Sequence, residues 1–387
     1  MAESSNRHAS NLELFLDLVF VFSVTQVTSF VADNLSAAGV GKGVLVGFLV
    51  WWQWTAFTWA GTAIDLQSDI RARILVLAMV PAMLVMAISV PRALSGQGVW
   101  FASAYCVVQL FVLSLQGLEA RGDEHNRRAF LRYAPLAAIA PSLLLVGSFL
   151  HGRARLAVWV VVALVMVGSA LLAAATSEGE WAIDPTHFAE RHALFVIITL
   201  GEVVVAIGAT TAAVSEKSGL DFPILSAVVA SAAVACVLWW AYFGFVPAVI
   251  ELKLDEAIPS ERGRIARDVG SFGHFPLVFG LILYAVVAKH LIKHADEHLA
   301  VADRWALFGA VTSFVGGQLA IQYRLVRRFA PERLLALVAV AALAGVSGLL
   351  PAALVVGLVA VVLAAMAVVT ARRFHETELA QLVNHSL

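Results

Sequence analysis

Apolar residues along this chain run in long stretches. They do not alternate with polar ones, as in a half-buried strand, or form the narrow stripe of a soluble amphipathic helix. Each stretch reaches the ~20 residues that a helix needs to cross a ~30 Å hydrocarbon layer. Twelve such segments are read, centred near Phe22, Trp54, Pro81, Val108, Pro141, Ala163, Leu200, Val234, Gly280, Val315, Ala341 and Val361. The last two are parted only by residues 348–351, the tightest of the links. The predicted fold is an all-α integral membrane protein of about twelve transmembrane helices.

The polar connections predict orientation. Of the 26 Lys and Arg residues, 18 fall at the two termini and in the even-numbered connections. Lys and Arg are retained on the cytoplasmic side, so the N- and C-termini are expected in the cytoplasm. The opening residues, MAESSNRHAS, lack a small-residue cleavage site, and the first apolar run is expected to stay as an anchor.

The two halves of the pattern resemble each other. The first helix, ELFLDLVFVFSVTQVTSF, aligns with the seventh so that Gln26 falls opposite Glu202. The second carries WWQWTAF from Trp51 and the eighth WWAYFGF from Trp239. Pro81 in the third segment matches Pro276 in the ninth. Three matched features in one order predict an internal duplication, with 1–176 and 177–387 as two six-helix repeats. An even number of spans per repeat gives both the same orientation.

Composition agrees and narrows the function classes. The chain is 60% apolar and 14% charged, with mean hydropathy +0.86, against ~25% charged in a soluble domain. A net charge of −1 offers no basic face, so nucleic acid is not an expected partner. Cys106 and Cys236 lie inside apolar runs, which argues against a disulfide framework or a zinc knuckle. Residues 39–43, GVGKG, fail the phosphate-loop pattern in spacing and in the final residue, and neither HExxH nor GxSxG occurs. No cofactor and no catalytic residue is assigned.

Ionisable residues inside apolar runs are expensive and mark sites or pathways. The seventh helix, ERHALFVIITLGEVVVAIGA at 190–209, opens with Glu190, Arg191 and His192 and holds one further charge, Glu202. Twelve residues of helix set Glu202 ~18 Å below Glu190, close to mid-membrane. Arg191, Phe195, Ile198, Glu202 and Ala206 share one face at helical spacing. Glu202 is read as a pathway or proton-linked group, against the plainer alternative of a protonated carboxyl bracing a neighbouring helix. Glu13 and Asp17 stand one turn apart on the first helix, with Arg71, Arg73 or Arg191 as candidate partners. For Glu13, complementing the helix dipole is the favoured reading, and for the deeper Asp17 a buried, paired role. Trp51, Trp52, Trp54 and Trp59 sit within the second span, where packing is favoured over an aromatic gate. His274 accompanies Pro276, a ladder-breaking proline. His290, His294 and His298 repeat every four residues and form the weak metal candidate, since a helix would stack them.

Several of these stretches carry a family resemblance. ELFLDLVFVFSVTQV at 13–27, WWQWTAFTWAGTAID at 51–65, ERHALFVIITLGEVVVAIG at 190–208, WWAYF at 239–243 and GHFPLVFGLILYAV at 273–286 resemble the bacterial low temperature requirement protein A (LtrA) family over nearly the whole chain. The resemblance implies a multi-pass protein of the bacterial inner (plasma) membrane, named for growth in the cold. Gly244 stands where that family often has an acid after WWxYF, so a role for that acid does not transfer. The first helix is also similar to that of the endolysosomal two-repeat potassium channel family at Glu13, Phe15, Asp17, Val19, Phe20 and Thr25, with Leu16 in place of a serine. That likeness implies a permeation pathway.

The leading expectation is a transporter of an unidentified ion or small solute, proton-linked through Glu202. Its pathway is drawn through Asp17, Gln26, Glu190, Arg191, His192, Glu202 and His274, with Glu13, Asp65, Asp69, Trp51 and Trp239 as secondary candidates. A cation channel is the alternative. A membrane-embedded enzyme acting on lipid from the cytoplasmic side, with Asp17, Asp65, Asp69, Glu190, His192 and His274 as its groups, is the alternative of another class. The bilayer is the expected partner, and homo-oligomer formation stays open. Cysteines introduced at Ser4 and Ser386, in a chain lacking Cys106 and Cys236, should react with an impermeant maleimide only after the cell membrane is opened. Labelling of either position in intact cells would overturn the predicted topology.

Overall fold

The computed structural model describes residues 8–63, 69–120, 124–176 and 183–385. They form helices only, apart from turns and connections. In order these are α1 (Asn11–Ala32), α2 (Ala37–Ala63), α3 (Ile70–Ser89), α4 (Gly98–Glu119), α5 (Glu124–Ser148), α6 (Gly152–Thr176), α7 (Pro185–Ser218), α8 (Phe222–Phe243), α9 (Val246–Glu256), α10 (Pro259–Ala266), α11 (His274–Lys293), α12 (Val301–Val326), α13 (Pro331–Val346) and α14 (Ala352–His385). A π-helical segment, Arg267–Gly273, joins α10 to α11.

Among the described residues, nine helical segments are long and apolar enough to cross a membrane, and the protein is a multi-pass membrane protein. The expected twelve are met in part. Helices α2, α5 and α12, of 27, 25 and 26 residues, have the length but are not among the nine. In α12 the apolar run is broken by Asp303, Arg304, Gln318, Gln322 and Arg324, and in α5 the continuous apolar part is only Ala137–Ser148. The final apolar stretch does divide in two, because Ser347–Leu349 forms a 3-10 turn ahead of Pro351 and α14 starts afresh.

The chain forms two compact units. The first comprises residues 1–198 and 251–275. Within it α1 packs against α2 and α3, successive helices from α3 to α6 pack in sequence, and α2 also touches α4, α6 and the π segment. Its core includes Trp51, Trp54, Phe57, Phe101, Tyr105 and Trp159, all fully or almost fully buried. Helix α1 begins where it does because Ser10, Asn11, Leu12 and Glu13 spell a capping box: the Ser10 side chain accepts from the Glu13 backbone N–H, and the Glu13 carboxylate accepts from the Ser10 N–H at 2.8 Å.

The second unit comprises residues 199–250 and 276–387. There α14 packs along α8 and α13, and α13 along α12. Tyr284 donates to the Ser231 carbonyl at 2.8 Å, and Gln318 to the Ala241 carbonyl at 3.0 Å. In hydrocarbon no water competes for these carbonyls, so such side-chain bonds fasten helices that the hydrophobic effect cannot. Pro276 leaves its own carbonyl accepting from Ser313 at 2.8 Å. One turn on, Gly280 allows a close approach between two helix backbones. A Cβ at this position would stand 2.7 Å from the Ala310 carbonyl oxygen and 2.9 Å from the Phe314 nitrogen, both backbone atoms that cannot swing away.

Gly280→Val is therefore expected to destabilise the protein by about 1–3 kcal/mol, the usual penalty for overpacking. Gly316→Val is the control, since a Cβ at Gly316 meets nothing within 4 Å. Thermal unfolding in detergent checks both, and equal midpoints for the two variants would contradict the close approach.

Candidate functional site

The first unit holds a sealed cluster of charge. Glu13 and Asp17 lie one turn apart on α1, and His187 and Arg191 one turn apart on α7; all four are fully buried. Arg191 grips Asp17 with both terminal nitrogens, Nη1 to Oδ2 at 2.6 Å and Nη2 to Oδ1 at 3.0 Å. Its Nε lies 3.8 Å from Glu13 Oε1, the oxygen that also takes a hydrogen bond from His187 Nε2 at 3.1 Å. The other oxygen of Glu13 stays with the capping box. Glu13 thus caps the helix, as its position suggests, and joins the charged network as well. Of the three arginines considered for Asp17, Arg191 is the one that pairs.

Aromatic rings from α2 wall this cluster. Trp54 donates its indole N–H to Asp17 Oδ1 at 2.9 Å, and the guanidinium carbon of Arg191 sits 5.9 Å from the ring centroids of both Trp54 and Phe57. A planar, weakly hydrated guanidinium suits such a place better than an ammonium would. Trp54 also stacks with Trp51 at 4.8 Å and packs on Phe195 at 4.3 Å.

Behind Trp54 two imidazoles face each other. The rings of His192 and His274 are 4.9 Å apart. His192 Nδ1 lies 2.9 Å from the Phe188 carbonyl and His274 Nδ1 2.8 Å from the Val269 carbonyl. A carbonyl only accepts, so in each ring Nδ1 carries the proton and Nε2 is the acceptor of the neutral form. His192 Nε2 is buried with no hydrogen-bond partner among the described residues. The wider π turn sets this geometry. It turns the Ser271 carbonyl towards the Trp51 indole, 2.7 Å away, while the Ser271 hydroxyl accepts from Trp59 at 3.1 Å. It also presents Gly270 to His192, where a Cβ would come within 2.7 Å of Nε2. Single π turns inside α-helices are frequent at functional sites.

The other candidates lie apart or serve locally. Glu190 accepts from the Ala9 backbone N–H at 2.8 Å and pairs with the exposed His8 at 3.3 Å, just ahead of α1. Asp69 caps α3 through the Arg71 N–H at 2.8 Å. Asp65 lies outside the described residues. Gln26 is half-buried on α1. Trp51 is buried, whereas Trp239, its counterpart in the sequence pattern, is 48% exposed and faces outward. In the second unit Glu202 is buried, with Lys289 Nζ at 3.9 Å from Oε1. The expected stack of three imidazoles is corrected: α11 ends at Lys293, so His294 and His298 leave the helix. His290 bonds Asp303, His294 bonds Glu297 and His298 bonds the Leu350 carbonyl. Among the described residues no group of three or more His, Cys, Asp or Glu side chains is placed to hold a metal.

His187, Ser10 and Lys289 were not among the sequence candidates. His187 was legible as the residue one turn before Arg191 on the same face. Ser10 was legible from the S-x-x-E signature. Lys289 had no such signal, because its pairing depends on how α11 lies against α7.

The profile of the bacterial low temperature requirement A protein (LtrA) matches residues 8–368. The chain belongs to the LtrA family. An uncharacterized protein of Rhizobium meliloti (strain 1021) is 31% identical to it over 323 residues, which is 80% of this chain and 76% of the relative. No solved structure matches. The motifs that α1, α2 and α7 contribute to this LtrA protein's charged cluster, and the π segment to the paired imidazoles, all fall within the matched residues.

Breaking a buried pair strands its partner and costs about 3–5 kcal/mol, while replacing both members together is far cheaper. Asp17→Asn should therefore lower the thermal midpoint of the detergent-solubilised protein, and Asp17→Asn with Arg191→Gln should recover part of the loss. A single variant as stable as wild type would show that the pair is not coupled.

Proposed function

We propose that this LtrA protein is a carrier of the bacterial inner membrane that moves an ion or small solute in a proton-linked cycle. The observation that carries the reading is closure: Glu13, Asp17, His187, Arg191, His192 and His274 are all shut away from solvent inside membrane-crossing segments. An enzyme acting on lipid needs such groups at an open cleft, and a channel needs them along an open pore. A carrier passes through closed states, and breaking and remaking ion pairs is how it changes between them.

Proton linkage follows from charge balance. The cluster brings two carboxyls against one guanidinium, so a single bound proton makes it neutral. His187 and Glu13 share a hydrogen bond at the edge of that charge cluster. His192 Nε2 is a buried acceptor with no hydrogen-bond partner among the described residues, and it supplies a polar contact for a water, a proton or a solute. Glu202, paired with Lys289, forms the second charged station. In this reading the termini are cytoplasmic and the two halves are same-orientation repeats, the arrangement in which carriers rock one half against the other.

Flux into proteoliposomes, over a panel of ions and small solutes with and without a pH gradient, tests it. His187→Gln and Glu202→Gln should reach the membrane at near wild-type levels and lose the pH-dependent part of the flux. Unchanged pH-dependent flux in Glu202→Gln would leave that residue a structural pair. Wild-type vesicles no more permeable than empty ones would overturn the carrier reading.

A further inference from the structure

Away from the charged cluster, the first unit contains a cavity of about 350 Å³ between the α3–α4 and α5–α6 connections. Leu94, Ser95, Gly96, His151, Gly152 and Arg155 are among its walls. It lies where membrane-crossing segments end: one span finishes at Arg92, and the next two of these helices begin at Gly98 and Gly152. The cavity therefore sits at the level of lipid headgroups.

Its charge is of one sign. Arg155 is buried, and among the described residues its guanidinium is held only by carbonyl oxygens: Nε by Leu150 at 2.9 Å, Nη2 by Ser148 at 2.8 Å, and Nη1 by Ala93 at 3.4 Å and by Ser95. Carbonyl dipoles orient a cation but do not cancel its charge. Neither residues 90–100 nor residues 141–160 contain an Asp or Glu, while Arg92 and Arg153 add exposed positive charge beside Arg155. The first turn of α4 has no side-chain cap, and that helix end and the start of α6 both point partial positive charge at this place. A buried cation without a counter-ion, beside an open cavity, is half of an ion pair.

The surroundings say what the other half is. Phe149, which lines the cavity, is 63% exposed, and Trp100, in the first turn of α4 next to the lining residue Val99, is 65% exposed. Aromatic side chains at this level mark contact with the membrane interface. Arg92, Arg153 and Arg155 also belong to the eight Lys and Arg residues on the side that the positive-inside rule leaves poor in them, which calls for a local reason. We infer that the cavity binds the phosphate of a glycerophospholipid headgroup, with Arg155 and the two helix ends as its anion contacts and Trp100 and Phe149 against the acyl chains.

Removing Arg155 risks unfolding the two connections, so the decisive variant adds charge instead. A Cβ at Gly96 meets nothing within 4 Å, and Gly96→Asp places a carboxylate at the exposed wall without touching the arginine's bonds. The full chain is purified in detergent and titrated with phosphatidylglycerol, followed by native mass spectrometry. Gly96→Asp should bind about tenfold more weakly than wild type, with a thermal midpoint no lower than wild type, because its carboxylate opposes the phosphate and competes for Arg155. Diacylglycerol, which lacks the phosphate, should not occupy the site. Equal affinity in wild type and Gly96→Asp, or diacylglycerol binding as tightly as phosphatidylglycerol, would overturn the proposal. Displacement of the lipid by millimolar inorganic phosphate would overturn the lipid assignment and give the site to free phosphate.

Discussion

The bidentate pair between Arg191 and Asp17 is the interaction on which the first unit depends. A guanidinium buried in a helix long and apolar enough to cross a membrane is costly, and the two hydrogen bonds from one carboxylate offset much of that cost, although Arg191 Nε has no hydrogen-bond partner among the described residues. That cost explains the neighbours. Trp54 supplies a donor to the same carboxylate, Glu13 a second negative charge near Nε, and Phe57 a face for the cation. It also explains the local helix geometry, since residues 187 and 191 must stack over residues 13 and 17 for the two pairs to form together.

The paired imidazoles are a second layer built on the first. Trp54 touches both layers, bonded to Asp17 on one side and packed 5.2 Å from the His192 ring on the other. The π turn then closes the far side, with glycine at 270 because no larger residue fits against Phe188 and His192. The ion pair and His274 are thus separated by one indole and one imidazole in successive contact.

Much of this was legible in the sequence, and the limits have physical causes. Apolar run length marks spanning helices, and ionisable residues within those runs stand out against hydrocarbon, so Asp17, Arg191, His192 and His274 were among the candidates, together with Gln26, Glu190 and Glu202, which lie apart from them. Run length fails where polar residues interrupt a helix that is nonetheless long, as in α12. Helical spacing predicts a stack only if the helix continues, and α11 stops at Lys293 before His294 and His298 can join His290. Matched motifs do not guarantee matched surroundings, since Trp51 is buried and Trp239 is not. Partners from distant helices, such as Lys289 for Glu202, are decided by packing and leave no local trace.

The separation of 174 residues between Asp17 and Arg191 has a consequence for how the chain is made. At ~5–20 residues per second, α1 emerges roughly 10–35 s before the guanidinium that will neutralise it. During that interval the first helix must enter the membrane carrying two acids and no counter-charge. Its earliest relief is Trp54, only 37 residues downstream, whose indole N–H can satisfy one Asp17 oxygen as soon as the first hairpin closes. Of the partners that Asp17 has in the folded chain, Trp54 is thus made long before Arg191.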